Sequence, residues 1–186
     1  MTTTDEPPYA EMINAGLESM LPPAHRMGIT ITEARVGFAA AEVPVNGNTN
    51  HIGTMYAGTL FAVAEILGGA ISLASFDAGQ FYPTVKDVQI RFRRPARSAV
   101  RAVTALDEAS IARIQAEAEA VGKAEFVLAA ELTDEDAPSW RTRTVSTNCA
   151  GSEPETSFRT ARRFRRCAEE RALGCYLLPG RPTPKC

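Results

Sequence analysis

Cysteine is absent from the first 148 residues of this sequence. The four cysteines all lie in the last 38 residues, at Cys149, Cys167, Cys175 and Cys186. Their spacings of 18, 8 and 11 residues match no zinc or redox motif, and no histidine lies near them. The whole chain has only two histidines. We therefore expect no metal site and no redox cofactor.

The first eight residues lack both a basic group and an apolar run, so we expect no signal peptide. One apolar segment, residues 59–76, reaches the length of a membrane span. It contains a carboxylate and two adjacent glycines, and strand patterns flank it, which favours burial inside the protein over a membrane span. The sequence therefore predicts a cytoplasmic protein without a membrane span.

Basic residues are scarce in most of the chain. Residues 1–147 hold 12 basic and 18 acidic side chains, whereas residues 148–186 hold 8 basic and 4 acidic ones. The acidic body argues against nucleic acid as a partner. Residues 1–147 are predicted to form one domain, and residues 148–186 a basic tail containing proline and cysteine that is disordered or loosely packed. Two other interpretations of residues 148–186 stay open. They form a basic interaction arm, or they are a segment foreign to the domain, such as one from a shifted reading frame.

The segment 58–75 contains no proline, and its apolar residues cover every side of a 3.6-residue helical period. This pattern predicts a helix that is buried all round. Its only ionisable residue is Glu65. A buried carboxylate is costly unless it is paired, protonated or used in chemistry, which makes Glu65 the first candidate for a functional group.

The remaining elements are predicted from periodicity and from turn and capping residues. Residues 9–21 form an amphipathic helix that a pair of prolines ends, and residues 108–121 form a helix capped by Asp107 and closed by Gly122. Gly37 indicates a tight hairpin or bulge between the first two strands. Alternating patterns predict strands at 29–33, 38–45, 83–93, 99–106, 126–132 and 140–146. The order predicts an α+β domain in which a curved antiparallel sheet wraps around the long apolar helix.

Residues 50–58 read Asn-His-Ile-Gly-Thr-Met-Tyr-Ala-Gly, and Glu65 follows seven residues later. This pattern resembles the active-site segment of hotdog-fold acyl-CoA thioesterases, in particular the phenylacetyl-CoA thioesterase-like branch with its loop Asn-x-x-Gly-x-x-His-Gly-Gly. It is even more similar to an uncharacterised bacterial hotdog branch, also found fused to acetyltransferases, with the loop Asn-His-x-Gly-Thr-x-x-Ala-Gly. The resemblance covers residues 10–147 and includes the Arg-Pro-Ala of segment 88–97. Tyr56 and Ala57 stand where the first branch has His-Gly.

The resemblance implies the hotdog fold and hydrolysis of an acyl-CoA thioester. Glu65 would act as general base or as nucleophile, and Asn50 would position water or substrate. Two sets of residues are predicted to bind substrate: the loop residues His51, Gly53, Thr54, Tyr56 and Ala57, and the arginines Arg91, Arg94 and Arg97, whose guanidinium groups suit the phosphates of coenzyme A.

The start of the central helix is predicted to supply the oxyanion site. Backbone N–H groups in the first turn have no intrahelical partner, and Gly58 lets a thioester carbonyl approach closely. Glu65 lies about 10 Å further along the helix, too far to serve the start of its own helix. The resemblance resolves this with a homodimer or dimer of dimers, in which antiparallel helices place Glu65 opposite the partner's helix start.

Each of these residues also has a structural interpretation. Glu65 could bond to Asn50 or to a backbone amide, Asn50 could cap the loop, and the arginines could form a solvated strand face. A different function also stays open, namely a non-catalytic hotdog module that binds acyl-CoA or a fatty acyl group. A dehydratase or hydratase on the same fold is less favoured, because it needs a catalytic histidine and the chain offers only His25 and His51.

Overall fold

The computed structural model describes residues 9–135 and the backbone of residues 175–179. In chain order the helices are α1 (Tyr9–Met20), α2 (Pro22–Arg26), α3 (Ala57–Ser75) and α4 (Glu108–Val121). The strands are β1 (Thr30–Arg35), β2 (Phe38–Val43), β3 (Phe81–Thr84), β4 (Val100–Ala105), β5 (Ala124–Phe126), β6 (Ala130–Asp134) and β7 (Cys175–Pro179).

The strands form two antiparallel sheets that pack against α3. One sheet has the order β1-β2-β4-β6 and the other has the order β3-β7-β5. On β2 and β4 the residues that line the core are small, so α3 can lie close to the sheet; Ala41, for example, stands opposite Ala102 and both are fully buried. The sequence predicts antiparallel strands around a long central helix, and this prediction is confirmed.

Helix α3 forms the centre of the domain. Eleven of its nineteen residues are buried, among them Leu67 and Ile71, and it contacts β1, β2 and β4 as well as α1. Among residues 9–135 it is the one helix long and apolar enough to cross a membrane. That is weak evidence for a span, because 61% of its most apolar window is buried within the domain.

The prediction that α3 is buried all round is wrong. One side of the helix is partly uncovered: Phe61 is 40% exposed, and Glu65, Gly69 and Leu73 are only half-buried. Periodicity reports which residues are apolar, whereas burial depends on which elements reach each side. The sheets and α1 cover the other sides of α3.

Two of the strand predictions are also wrong. The strand predicted at 83–93 is β3, which covers only Phe81–Thr84, and residues 85–99 form no ladder with the rest of the described chain. The strand predicted at 126–132 is divided between β5 and β6, because β5 pairs with β7 whereas β6 pairs with β4 in the other sheet. Alternation of apolar and polar residues shows which residues share one face of a strand, but it does not show which strand pairs with it.

A second helix, α2, begins directly after α1, at the two prolines that were predicted to end α1. Pro22 and Pro23 occupy the first turn of α2, where a missing N–H costs nothing. The strand predicted at 140–146 lies outside the described residues. The described part of the tail, β7, is a strand that the sequence pattern does not predict.

The predicted capping residues and hairpin are confirmed. The Asp107 carboxylate accepts a hydrogen bond from the Ser110 N–H (2.7 Å), and Gly122 ends α4 with a φ of 77°. Gly37 forms the turn between β1 and β2, and a Cβ there would lie 2.6 Å from the Leu106 carbonyl oxygen. Its N–H donates to the Ser75 hydroxyl (3.0 Å), which fixes the hairpin to the end of α3.

Candidate active site

The predicted site loop is a compact turn in front of α3. A β-bridge between Thr49 and Met55 closes it, and inside it the Asn50 N–H donates to the Thr54 carbonyl oxygen (2.8 Å). Gly53 takes a positive φ of 74° and donates its N–H to the Asn50 carbonyl oxygen (3.1 Å). The loop therefore holds its shape through its own backbone.

The Asn50 side chain supports the same turn. Its Oδ1 accepts from the Ile52 N–H (3.0 Å) and the Thr54 N–H (3.2 Å), and its Nδ2 donates to Thr54 Oγ1 (2.9 Å). These contacts agree with the interpretation of Asn50 as a loop cap. Within residues 9–135 the second Nδ2 hydrogen has no acceptor, so the positioning role of Asn50 stays a prediction.

Two backbone hydrogen bonds fix the loop to the rest of the domain. The Met55 N–H donates to the carbonyl oxygen of the fully buried Ala96 (2.9 Å), and the Tyr56 N–H donates to the Asn48 carbonyl oxygen (2.8 Å). Ala96 belongs to the Arg-Pro-Ala sequence. The structure therefore brings the site loop and the arginine segment side by side, through residues that are 41 positions apart in the sequence.

Asn48 is an organising residue that the sequence interpretation missed. Its Nδ2 donates to the carbonyl oxygens of Met27 (2.7 Å) and Pro44 (2.9 Å), and its Oδ1 accepts from Thr59 Oγ1 (3.4 Å). The residue is 8% exposed. It joins the end of α2, the turn after β2 and the first turn of α3. In the sequence it looks like one more turn residue beside Gly47, and only its burial distinguishes it.

Helix α3 begins at Ala57, one residue before the predicted start, with Tyr56 as its N-cap residue. The Tyr56 side chain makes no capping hydrogen bond, and its carbonyl oxygen accepts from Thr59 (3.0 Å) and Leu60 (3.2 Å). The N–H groups of Ala57 and Gly58 have no partner within residues 9–135. Two adjacent amides at the positive end of a nineteen-residue helix form a site suited to an oxyanion.

The Tyr56 ring covers the side of Gly58. A Cβ on Gly58 would lie 2.3 Å from Tyr56 Cε1, so only glycine fits while the ring stays there. Tyr56 is 55% exposed, which leaves its ring room to move. In the loop of the phenylacetyl-CoA thioesterase-like branch, histidine occupies the position of Tyr56.

Glu65 lies two turns into α3, on the same side of the helix as Gly58. The side chain is half-buried and makes no hydrogen bond or ion pair with residues 9–135. Burial therefore acts alone, and it raises the pKa of the Glu65 carboxyl above its ordinary value of 4.5. Neither structural partner considered for it, Asn50 or a backbone amide, contacts it here.

The three arginines predicted to bind coenzyme A differ in their surroundings. Arg91 and Arg97 are exposed. Arg94 forms a two-pronged ion pair with Asp134, in which Nη1 donates to Oδ2 (3.0 Å) and Nη2 donates to Oδ1, and the Asp134 side chain is 0% exposed. Arg94 therefore joins the arginine segment to β6. A contact of any of the three with phosphate stays a prediction.

His51 and Ala57 are exposed, whereas Thr54 is buried with its hydroxyl oxygen bonded to Asn50. A cleft of about 320 Å³ opens at the two ends of the loop, next to Thr49 and Tyr56 and between α2 and the start of α3. Its walls include Pro23, Arg26, Met27, Asn48, Tyr56 and Thr59.

Within residues 9–135 no cluster of three or more histidine, cysteine or acidic side chains could hold a metal ion.

A comparison with protein families places this domain. The model of the domain of unknown function DUF4442 matches residues 10–146, which is most of the chain. The chain belongs to the DUF4442 family. The matched range lies within residues 1–147 and contains the loop, α3 and the arginine segment.

Solved structures give this DUF4442 chain a hotdog fold. Protein PA5026 of Pseudomonas aeruginosa, named a probable thioesterase, is 38% identical to it with a TM-score of 0.65, and the match covers 72% of this chain and 95% of that one. Thioesterase PA1618 of the same organism is 18% identical, with a TM-score of 0.60 and coverage of 94% and 97%. The PaaI protein of Escherichia coli, from the phenylacetic acid degradation operon, is 16% identical, with a TM-score of 0.54 and coverage of 77% and 96%. No protein of curated function matches the chain.

Proposed function

We propose that this DUF4442 protein hydrolyses acyl-CoA thioesters. The observation that carries the proposal is the position, on one side of α3, of the Glu65 carboxyl and two amides at the helix start, none of which has a hydrogen-bond partner within residues 9–135. Thioester hydrolysis needs both groups, a base for water and donors for the developing oxyanion. The name of PA5026, a probable thioesterase and 38% identical, supports the same reaction.

In the proposed reaction the Glu65 carboxylate takes a proton from water as the water oxygen bonds to the thioester carbonyl carbon. The negative charge on the carbonyl oxygen is held by the N–H groups of Ala57 and Gly58. When the C–S bond breaks, the proton passes from Glu65 to the thiolate of coenzyme A, leaving a free acid and a thiol. Burial makes Glu65 a stronger base, which suits it to this route. The route uses neither metal nor redox cofactor.

We propose that the site is completed by a second copy of the chain. Glu65 lies about 10 Å along the axis from Gly58, so the two groups of one helix cannot act on one carbonyl. Antiparallel packing of two copies of α3 would bring Glu65 of one copy to the helix start of the other. The partly uncovered side of α3, on which Phe61 is 40% exposed, supports such a contact in a dimer or dimer of dimers.

Coenzyme A would lie along the arginine segment. The hydrogen bond between the Met55 N–H and the Ala96 carbonyl oxygen places this segment against the site loop. Exposed Arg91 and Arg97 are then available to phosphate oxygens close to the proposed oxyanion site. His51, Gly53, Thr54 and Tyr56 would border the thioester end. We place this reaction in the cytoplasm, where acyl-CoA is made and used.

The protein is expected to release coenzyme A thiol from at least one member of a panel of acetyl-, octanoyl- and phenylacetyl-CoA. Release is measured with a thiol reagent at neutral pH, with heat-unfolded protein as the control. If calorimetry shows binding of acyl-CoA but no thiol appears, the non-catalytic acyl-CoA-binding module replaces the thioesterase. Absence of both binding and hydrolysis contradicts both functions.

Light scattering is expected to give a mass of at least twice the 20.0 kDa chain. Phe61→Asp puts like charges into the proposed α3 contact, so it should produce monomers and reduce hydrolysis together. The matched control is Val121→Asp, because Val121 is 66% exposed at the end of α4. A wild-type monomer that hydrolyses acyl-CoA would contradict the shared site.

A further inference from the structure

The cleft between α2 and the start of α3 carries a positive charge without a counter-charge. Among the described residues that line it, Arg26 at the end of α2 is the one charged residue, and none is acidic. Within residues 9–135 the exposed Arg26 guanidinium forms no ion pair and no hydrogen bond. A guanidinium group binds carboxylate and phosphate groups through two parallel hydrogen bonds. The cleft therefore favours an anionic ligand.

Two hydroxyl groups in the walls add to this preference. Thr49 and Tyr56 both line the cleft, and neither side-chain hydroxyl has a hydrogen-bond partner within residues 9–135. The other polar side chains of the walls, Asn48 and Thr59, are buried and bond to each other through Asn48 Oδ1 and Thr59 Oγ1 (3.4 Å). The described side-chain donors that are open to a ligand are therefore one guanidinium and two hydroxyls.

The cleft also has an apolar part and a limited size. Pro23 and Met27 line it beside Arg26. Its volume of about 320 Å³ lies near the lower end of the range of roughly 300–1,000 Å³ for ligand pockets. These properties suit a short aliphatic chain that ends in an anionic group.

The Tyr56 side chain connects the cleft with the proposed oxyanion site. Its ring lies against Gly58 and also forms part of the cleft wall. The arginine segment contacts the loop elsewhere, at Met55 through Ala96, and none of residues 88–97 lines the cleft. A thioester carbonyl carbon has two substituents, the sulfur and the acyl chain. With coenzyme A along the arginine segment, the acyl chain is the substituent left to enter the cleft.

We propose that the cleft binds a carboxylate at the far end of the acyl group, with Arg26 as its ion-pair partner and the Thr49 and Tyr56 hydroxyls as further donors. This inference rests on the proposed thioesterase activity and names its substrate class, the coenzyme A monothioesters of short dicarboxylic acids. A phosphate group of coenzyme A offers the same kind of oxygen acceptors. The test therefore has to separate a carboxylate of the acyl group from a phosphate of coenzyme A.

The test compares glutaryl-CoA, 5-methylhexanoyl-CoA and the glutaryl thioester of N-acetylcysteamine. The second has an isopropyl group in place of the carboxylate, and the third lacks every phosphate. Arg26→Met should lower the ratio of kcat/KM for glutaryl-CoA to that for 5-methylhexanoyl-CoA about tenfold, the loss of one hydrogen bond to a charged group. It should lower kcat/KM for the N-acetylcysteamine thioester by the same factor. The matched control is Arg113→Met, which removes an exposed arginine of α4 and should leave the ratio unchanged.

The inference is overturned if Arg26→Met leaves the ratio as it is. It is also overturned if this variant lowers kcat/KM equally for both coenzyme A esters and leaves the N-acetylcysteamine thioester unaffected, because Arg26 then binds a phosphate. Should the wild type hydrolyse none of the three thioesters, the proposed function fails separately. In that event calorimetry decides the role of the cleft: Arg26→Met must weaken binding of glutaryl-CoA about tenfold and leave binding of 5-methylhexanoyl-CoA unchanged, and any other result overturns the inference.

Discussion

Replacing Glu65 with glutamine is expected to reduce kcat for acyl-CoA hydrolysis by about 10²- to 10⁴-fold, the usual contribution of a positioned general base. Glutamine keeps the shape of the side chain but cannot accept the proton of the attacking water. Steady-state kinetics on the best substrate of the panel measures the loss. Because glutamine also removes a partly buried charge, the variant should fold at least as well as the wild type, so a loss of activity cannot be attributed to unfolding.

The matched control is Glu18→Gln, since Glu18 is exposed on α1 and far in sequence from the loop and α3. It should leave kcat within twofold. Retention of more than a tenth of the wild-type kcat by Glu65→Gln would contradict the role of Glu65 as base.

The Glu65 carboxyl should also determine how kcat and stability depend on pH. Burial holds the pKa of Glu65 above 4.5, so kcat should fall with acidity from a higher pH than an ordinary glutamate would give. The folded protein holds this proton more tightly than the unfolded chain does. The contribution of Glu65 to the free energy of unfolding is therefore largest below pH 4.5 and declines as pH rises to the folded-state pKa. Glu65→Gln should accordingly have the higher Tm at pH 7, and the difference should vanish in acid.

Replacing Arg94 with methionine is expected to lower the free energy of unfolding by about 3 kcal/mol, the low end of the range for a buried ion pair that loses one partner. The Asp134 side chain is completely buried, so without the guanidinium its charge has no other ion-pair partner in the described part of the chain, whereas Arg94 itself is 33% exposed. For a chain of this size the loss corresponds to a fall in Tm of roughly 6–12 °C. Differential scanning calorimetry at neutral pH measures it.

Two variants test whether the pair itself is responsible. Arg94→Met combined with Asp134→Leu removes both charges and should regain most of the lost stability. Arg91→Met removes an exposed arginine of the same segment and should change Tm little. If Arg94→Met keeps the wild-type Tm and raises only KM, Arg94 serves coenzyme A and not the fold.

Much of the fold is predictable from local patterns. Asp107 and Gly122 mark the ends of α4 because capping depends on residues within one turn. Gly37 marks the hairpin because its position excludes a side chain. Glu65 stands out for a simple reason: it is the single ionisable residue in an eighteen-residue apolar segment. Such features are local, and the sequence shows them directly.

The rest depends on partners that a single sequence does not reveal. The segment 83–93 alternates like a strand, but only Phe81–Thr84 pairs in the described chain, so the pattern overstates β3. The alternation from Phe126 to Leu132 hides a change of partner from one sheet to the other. Asn48 and Arg94 gain their structural roles from groups distant in sequence, Met27 and Asp134, and neither spacing nor composition connects these pairs.

The bond from the Met55 N–H to the Ala96 carbonyl oxygen has a consequence for how the site is assembled. Residues 48–76 contain Asn50, Gly58 and Glu65, so an excised peptide of that range would carry every predicted catalytic residue. It would still lack the Ala96 carbonyl oxygen, which accepts from the Met55 N–H. The Asn48 Nδ2 would also lose its two acceptors, the carbonyl oxygens of Met27 and Pro44. The chemistry is encoded in one short segment, but its geometry exists only in the completely folded chain.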